Sequence, residues 1–192
     1  MGPAAYAVTV GLQTERQENS MHYEYCPHCG QKLVDRQAGD DGLIPYCNSC
    51  KKYWFDTFAS CVIILIYNEQ DEVMLCRQEY LSKEYEVITS GFIIPGETAE
   101  AAALREVKEE LGLDLEELEY AGTHWFGRGD MLMHCFMGFT HKKEPVLSPE
   151  INAAHWVPIL QLPETAFPDS PENAIFPIYR KLLKKLGYPV NV

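Results

Sequence analysis

The sequence predicts a mixed α/β domain, a mixed sheet between helices, preceded by a small cysteine-rich module. Two observations predict it. From Trp54 onward, apolar runs of strand length interleave with two helical patterns but show no regular βαβ alternation, so the strands are expected to pair both ways. Before Trp54, four cysteines fall in two C-x2-C pairs within one short polar stretch. With 192 residues, 46% of them hydrophobic, the chain can bury one core of roughly 130–150 residues and carry a small appendage besides.

Residues 1–20 hold no clear helix or strand pattern and are expected to form a disordered tail, with Met21 as an alternative start. The opening MGPAAYAVTVGL has neither a basic leader nor an adequate apolar core, and no later run approaches the 18 or more apolar residues of a membrane span. A soluble protein with no membrane partner is expected.

Residues 21–55 contain CPHCGQKLVDRQAGDDGLIPYCNSC, in which Cys26 and Cys29 are separated from Cys47 and Cys50 by a seventeen-residue, polar, Gly-containing hairpin. Two such knuckles let four thiolates meet around one tetrahedral Zn²⁺, and in so short a segment the metal would supply most of the folding free energy. CPHC alone resembles a thioredoxin-type redox pair, but no strand precedes it. Lys32, Arg36, Lys51 and Lys52 are too few for a nucleic-acid-binding stripe. His22 and His28 are near enough to be alternative ligands, although four cysteines already close the site. The odd total of seven cysteines, with Cys61, Cys76 and Cys135 inside apolar runs, argues for reduced thiols in a reducing cytoplasm.

Residues 56–192 form the main domain. SCVIILIY, 60–67, is a continuous apolar strand; 73–77 is its hairpin partner across the turn-like 68–72; and 84–94 is β-rich. Residues 97–111 read as a helix with Thr98 as N-cap and Gly112 just past its end. Strands follow at 119–126, 131–140 and 153–157. Pro158, Pro163, Pro168 and Pro171 punctuate an extended connection, and a helix over 173–186 closes the chain, with Pro177 in its first turn and Arg180, Lys181, Lys184 and Lys185 solvated.

The middle helix poses a problem. Glu106, Glu109 and Glu110 fall within about 100° of arc, opposite Leu104, Val107 and Leu111. Like charges at i,i+4 cost an exposed helix roughly 0.2–0.5 kcal/mol per pair, so something should offset them. The net charge is −12, which gives no general attraction to nucleic acid or anionic membrane; an anionic substrate would need a bound cation.

Residues 91–113, GFIIPGETAEAAALREVKEELGL, resemble the Nudix hydrolase signature G-x5-E-x7-R-E-U-x-E-E-x-G-U, U being aliphatic, and match it at every fixed place. The resemblance implies a Nudix-type α/β/α sandwich and a catalytic Mg²⁺ or Mn²⁺. Glu106, Glu109 and Glu110 would be its ligands, Glu106 would also orient or deprotonate the attacking water, and the carbonyl of Ser90 could be a further ligand. Gly91 would let the backbone approach the metal, and Glu97 and Arg105 would form a structural ion pair. In the stretch SPEINAAHWVPILQLP, Glu150 is the candidate for the remaining ligand or base. Hard carboxylate oxygens one turn apart suit such a cation, which neutralises a pyrophosphate and acidifies water.

The order of ribbon, aromatic link and Nudix domain is similar to NADH pyrophosphatases, which split NADH or NAD⁺ into nicotinamide mononucleotide and AMP, some of them removing NAD caps from RNA. In that resemblance Phe92 would stack on a base. Where the family has SQPWPFPxSLM, this chain reads THWFGRGDMLM, 123–133. There Trp125 and Phe126 would stack on a base or ring, and His124 and Arg128 would contact phosphate or ribose. ADP-ribose, nucleotide sugars and nucleoside triphosphates are alternative substrates. A silent nucleotide-sensing module is a different class of function, and loss of a signature glutamate would point to it; none is lost. NAD-capped RNA is the one nucleic acid considered as a partner, and a homodimer is implied by resemblance alone.

Overall fold

SCVIILIY becomes the central strand of a six-stranded sheet because its apolar side chains are needed on both faces: Val62 through Tyr67 are all buried. The structure is a computed structural model and describes residues 23–190. The tail, Met21 and His22 lie outside the described residues.

The chain divides into two compact units, the first ending at Thr57 and the second beginning at Phe58. In the first, β1 (Val34–Gln37) and β2 (Leu43–Cys47) form the antiparallel hairpin of the cysteine spacer, and β3 (Lys52–Tyr53) pairs with β2. Among the described residues its core is the cluster of Cys26, Leu33 and Cys47, backed by half-buried Tyr23, Cys50 and Trp54, with Tyr46 buried beside it in sequence. That is too little apolar burial to hold a fold of this size alone.

In the second unit the sheet order is β7-β8-β4-β5-β9, with β6 also on β4. These are β4 (Ala59–Tyr67), β5 (Glu72–Arg77), β6 (Thr89–Phe92), β7 (Glu117–Phe126), β8 (Met131–Phe139) and β9 (Ala153–Pro158). Only β4 and β8 run parallel; the other pairs are antiparallel. The β4–β5 turn is built by Asn68, whose Oδ1 accepts from the backbone of Gln70 at 2.8 Å and Glu72 at 3.2 Å. The 84–94 stretch yields a strand only at β6; of the rest, Val87 makes a single bridge to Cys76 of β5 and Glu86 a single bridge to Ala166.

Helix α1 (Ala99–Leu111) packs Ala102, Ala103, Val107 and Leu111 on one face of the sheet, against Val62, Ile64 and Ile66. Past the short α2 (Leu162–Thr165), helix α3 (Ile175–Leu186) packs Ile178, Leu182 and Leu183 on the other, against Ile63 and Leu65. The result is an α/β/α sandwich around a mixed sheet. The α3 cations are less free than expected: Arg180 pairs with Asp169, Lys185 with Glu119, and Lys181 donates to the Ala121 carbonyl at the β7 bulge. No helix among the described residues is long and apolar enough to cross a membrane.

Candidate active site

Helix α1 starts where Thr98 Oγ1 accepts from the Ala101 N–H at 3.2 Å, and it stops at Gly112, whose φ of 66° any larger residue would resist. Between these caps the three glutamates differ in burial. Glu109 keeps 60% of its side chain exposed, Glu106 14%, and Glu110 as a residue only 5%. This corrects the two-faced picture from the sequence. The buried arc runs through Ala102, Glu110, Ala103, Val107 and Leu111, while Leu104 is 45% exposed.

Arg105 offsets two of the three charges. Its Nε and Nη2 hold Glu97 at 2.8 and 2.9 Å, its Nη1 reaches Glu106 at 2.7 Å and Glu109 at 3.0 Å, and Nη2 also donates to the Phe92 carbonyl at 3.0 Å. Glu97 in turn accepts the Ile94 N–H at 3.3 Å. The Glu97–Arg105 pair therefore ties the 92–97 loop to α1, and the guanidinium also aligns the neighbouring carboxylates.

Gly91 is needed for space: a methyl group there would overlap the Glu106 carboxylate. Gly91→Ala should therefore displace Glu106 from Arg105 and cut any hydrolytic rate by about 10²-fold, since a misplacement of roughly 1 Å can cost that much; a steady-state comparison with wild type measures it.

Glu110 has no such cation. Its Oε1 accepts from Gln78 Nε2 at 3.3 Å, and its Oε2 is buried without a partner. Burial, reinforced by the charges of Glu106 and Glu150, pushes its carboxyl up to about 7, against the smaller opposing effect of the polar side chains of Thr89 and Gln78. The folded protein then holds a proton there that the unfolded chain releases near 4.5. Stability from this group is full below the unfolded value and is lost as pH rises through about 7, by roughly 3 kcal/mol at most. In chelator, denaturant midpoints should fall between about pH 5 and 8 more steeply for wild type than for Glu110→Gln; equal slopes would contradict the assignment.

Glu150, exposed, joins Glu106, Glu109 and Glu110 around a cavity of about 200 Å³ that Ser148 and Pro149 complete. The site opens into a cleft of about 950 Å³. Its lining includes Ser90, Gly91, Glu106, Glu110 and Glu150 together with Phe92, Phe126, Arg128, Met131 and Met133. His124 and Trp125, expected to contact substrate, do not line it. Trp125 is one residue out of phase with Phe126 on β7, and its ring packs edge-on to Phe58 at 5.5 Å; the Nε2 of His124 is itself buried without a partner.

The sequence reading missed Gln78, Tyr80, Leu81 and Glu172, which touch Glu110 or line the cleft. They lie outside the signature in connecting segments, and no local pattern marks them.

The two expected metals can be tested against these donors. In the first unit the sulfurs of Cys26, Cys29, Cys47 and Cys50 lie within 4.8 Å of one another, with Cys26–Cys50 at 3.8 Å and Cys29–Cys47 at 3.5 Å. Thiolates on a tetrahedron around Zn²⁺ at ~2.3 Å would be ~3.8 Å apart, so the four fit zinc. Among the described residues no carboxylate set converges as closely, because Arg105 draws Glu106 and Glu109 to itself. The orphaned Glu110 Oε2, beside Glu106 and Glu150, is the feature that suits a hard divalent cation.

A model of the NUDIX domain matches residues 57–177. The NAD-capped RNA hydrolase NudC of Escherichia coli O1:K1 / APEC is 29% identical over 149 residues, which span 74% of this chain and 56% of that protein. NudC of Shigella dysenteriae serotype 1 is 28% identical over the same shares. The chain thus spans about half the length of the curated relatives it matches. Among solved structures, a NUDIX hydrolase from Nitrosomonas europaea superposes with a TM-score of 0.63 at 16% identity, covering 88% of this chain and 97% of that one. The NUDIX domain of Shewanella oneidensis NrtR complexed with ADP ribose superposes at 0.56 and 16% identity, covering 71% and 94%. Both likenesses concern the fold.

Proposed function

The chain belongs to the Nudix family, and from that premise we propose that it is a divalent-metal-dependent hydrolase of the pyrophosphate bond in nucleoside diphosphates linked to a second moiety. NADH and NAD⁺ are the favoured substrates, giving nicotinamide mononucleotide and AMP. The observation that carries this reading is that one cleft is lined both by a carboxylate cluster and by apolar and aromatic side chains. A dinucleotide has the same polarity, with a charged pyrophosphate between flat rings.

Glu106, Glu109, Glu110 and Glu150, with the carbonyl of Ser90, would hold Mg²⁺ or Mn²⁺. When bound, the ion supplies charge neutralisation of the pyrophosphate and a more acidic water. The residues of the chain do the rest. Arg105 keeps Glu106 in place, so that Glu106 can orient the water or take its proton, with Glu150 as the other candidate base. Phe92, 58% exposed in the cleft, and Phe126 offer ring faces for stacking. Arg128, where it borders the cleft, offers a guanidinium to phosphate or ribose. In the first unit the four cysteines would hold Zn²⁺ in a structural role. The odd cysteine count fits a reducing, cytoplasmic setting.

The names of the NudC relatives favour NAD-linked substrates, and NAD-capped RNA belongs in the test for that reason. A panel of NADH, NAD⁺, NAD-capped RNA, ADP-ribose, nucleotide sugars and nucleoside triphosphates, with product identification, decides it. Cleavage of NADH and NAD⁺ to the two mononucleotides should give the highest kcat/KM. A clear preference for triphosphates would overturn the dinucleotide reading, and no hydrolysis of any member would overturn the enzyme itself.

A further inference from the structure

Gln78 lies just past β5 and outside the 91–113 signature, yet it is 4% exposed and donates Nε2 to Glu110 Oε1 at 3.3 Å. That contact occupies one oxygen of a carboxylate whose other oxygen is buried and unpartnered. The amide therefore selects which oxygen of Glu110 stays open.

Gln78 is itself anchored. Its carbonyl accepts from the N–H groups of Leu81 at 2.9 Å and Ser82 at 3.1 Å. The next residue, Glu79, donates its N–H to Asn152 Oδ1 at 2.8 Å, and Asn152 N–H donates to the Arg77 carbonyl at 2.9 Å. The 78–82 turn is thus bonded on one side to Glu110 of α1 and on the other to a residue two places from Glu150. Tyr80 and Leu81 of the same turn line the cleft. The turn therefore links both sources of carboxylate, and Gln78 is its contact with the helix.

We propose that Gln78 is a positioning residue that holds the Glu110 carboxylate with Oε2 free, in register with Glu150, to receive a divalent cation. This rests on the reading of Glu110 as a metal ligand. Outer groups that orient a ligand typically contribute 10–100-fold to metal affinity, whereas a residue that merely fills space contributes to folding and leaves affinity alone.

The test is Mn²⁺ binding to the substrate-free full chain, by calorimetry or electron paramagnetic resonance, in wild type, Gln78→Met, Gln78→His and Glu110→Gln. Methionine has the length of glutamine without its donor. Gln78→Met should weaken Mn²⁺ by about 10-fold or more, with kcat falling and the dinucleotide KM staying within about twofold. Histidine keeps an N–H within reach of the same oxygen, so Gln78→His should retain affinity within about threefold; this variant also carries the test if Gln78→Met does not fold. Wild-type affinity in Gln78→Met, with Glu110→Gln impaired, would overturn the positioning role and leave the metal reading standing. A loss in Gln78→His equal to that in Gln78→Met would overturn the donor role as well. Wild-type affinity in Glu110→Gln would overturn the metal reading itself.

Discussion

Glu106→Gln and Glu110→Gln should each lower the hydrolytic rate by about 10²-fold or more, some 2.7 kcal/mol of transition-state stabilisation. The two substitutions remove a charge at almost constant volume, but their structural consequences differ. At position 106 the amide oxygen of the introduced side chain can still accept from Arg105 Nη1, so the loop held by the Glu97–Arg105 pair should stay in place. At position 110 the removed charge is the one of the three that no cation among the described residues offsets, in a residue 5% exposed. Glu110→Gln should therefore be more stable than wild type in chelator at about pH 8, by up to roughly 3 kcal/mol, while losing activity. Such an opposition of stability and rate is expected where a group is kept for function at a cost to the fold. Denaturant melts paired with steady-state rates read both effects, and wild-type rates in both variants would sink the catalytic assignment.

Removing the proposed zinc from the four-cysteine unit should have the other large effect. The sulfurs stand 3.5–3.8 Å apart in the two pairs noted above, and among the described residues the apolar side chains buried in the unit are few: Cys26, Leu33, Tyr46 and Cys47. Structural zinc in units of this size contributes about 10 kcal/mol or more of apparent folding free energy. Chelation, or Cys26→Ser, should strip hydrogen-exchange protection from β1, β2 and β3, while β4 and β8, paired along nine residues in the second unit, keep theirs. Metal analysis should find one zinc per chain; less than about half an equivalent in carefully prepared protein would count against the site.

Much of this architecture is legible because its signals are local. The continuous apolar run at 60–67 needs cover on both faces, which only a central strand receives. Thr98 and Gly112 mark helix ends by capping chemistry that depends on a few neighbouring residues, and the spacing of the cysteine pairs limits where their sulfurs can meet. The acidic helix is legible in its spacing and less so in its burial. Helical periodicity sets Glu106, Glu109 and Glu110 side by side, but which edge of that arc faces the sheet depends on how α1 tilts on β4 and β6. For the same reason Leu104, apolar by type, lies at the solvent margin.

The segment 123–133 shows the same division. Its aromatic and cationic residues mark it as a candidate wall of the site, yet Phe126 at the end of β7 and Arg128 in the turn after it line the cleft, while Trp125, one residue out of phase with Phe126, packs on Phe58.

By itself, the sequence determined the family signature, the carboxylate spacing, the four thiols and the order of most strands and helices, because each depends on neighbours a few residues away. Only the tertiary structure decided that Arg105 serves Glu97, Glu106 and Glu109 at once, that Glu110 is the helix carboxylate left without a cation among the described residues, and that Gln78, 32 positions earlier in the chain, donates a hydrogen bond to it. Those relations depend on burial and on contacts across the sheet, which come into being only when strands distant in sequence are packed against one helix.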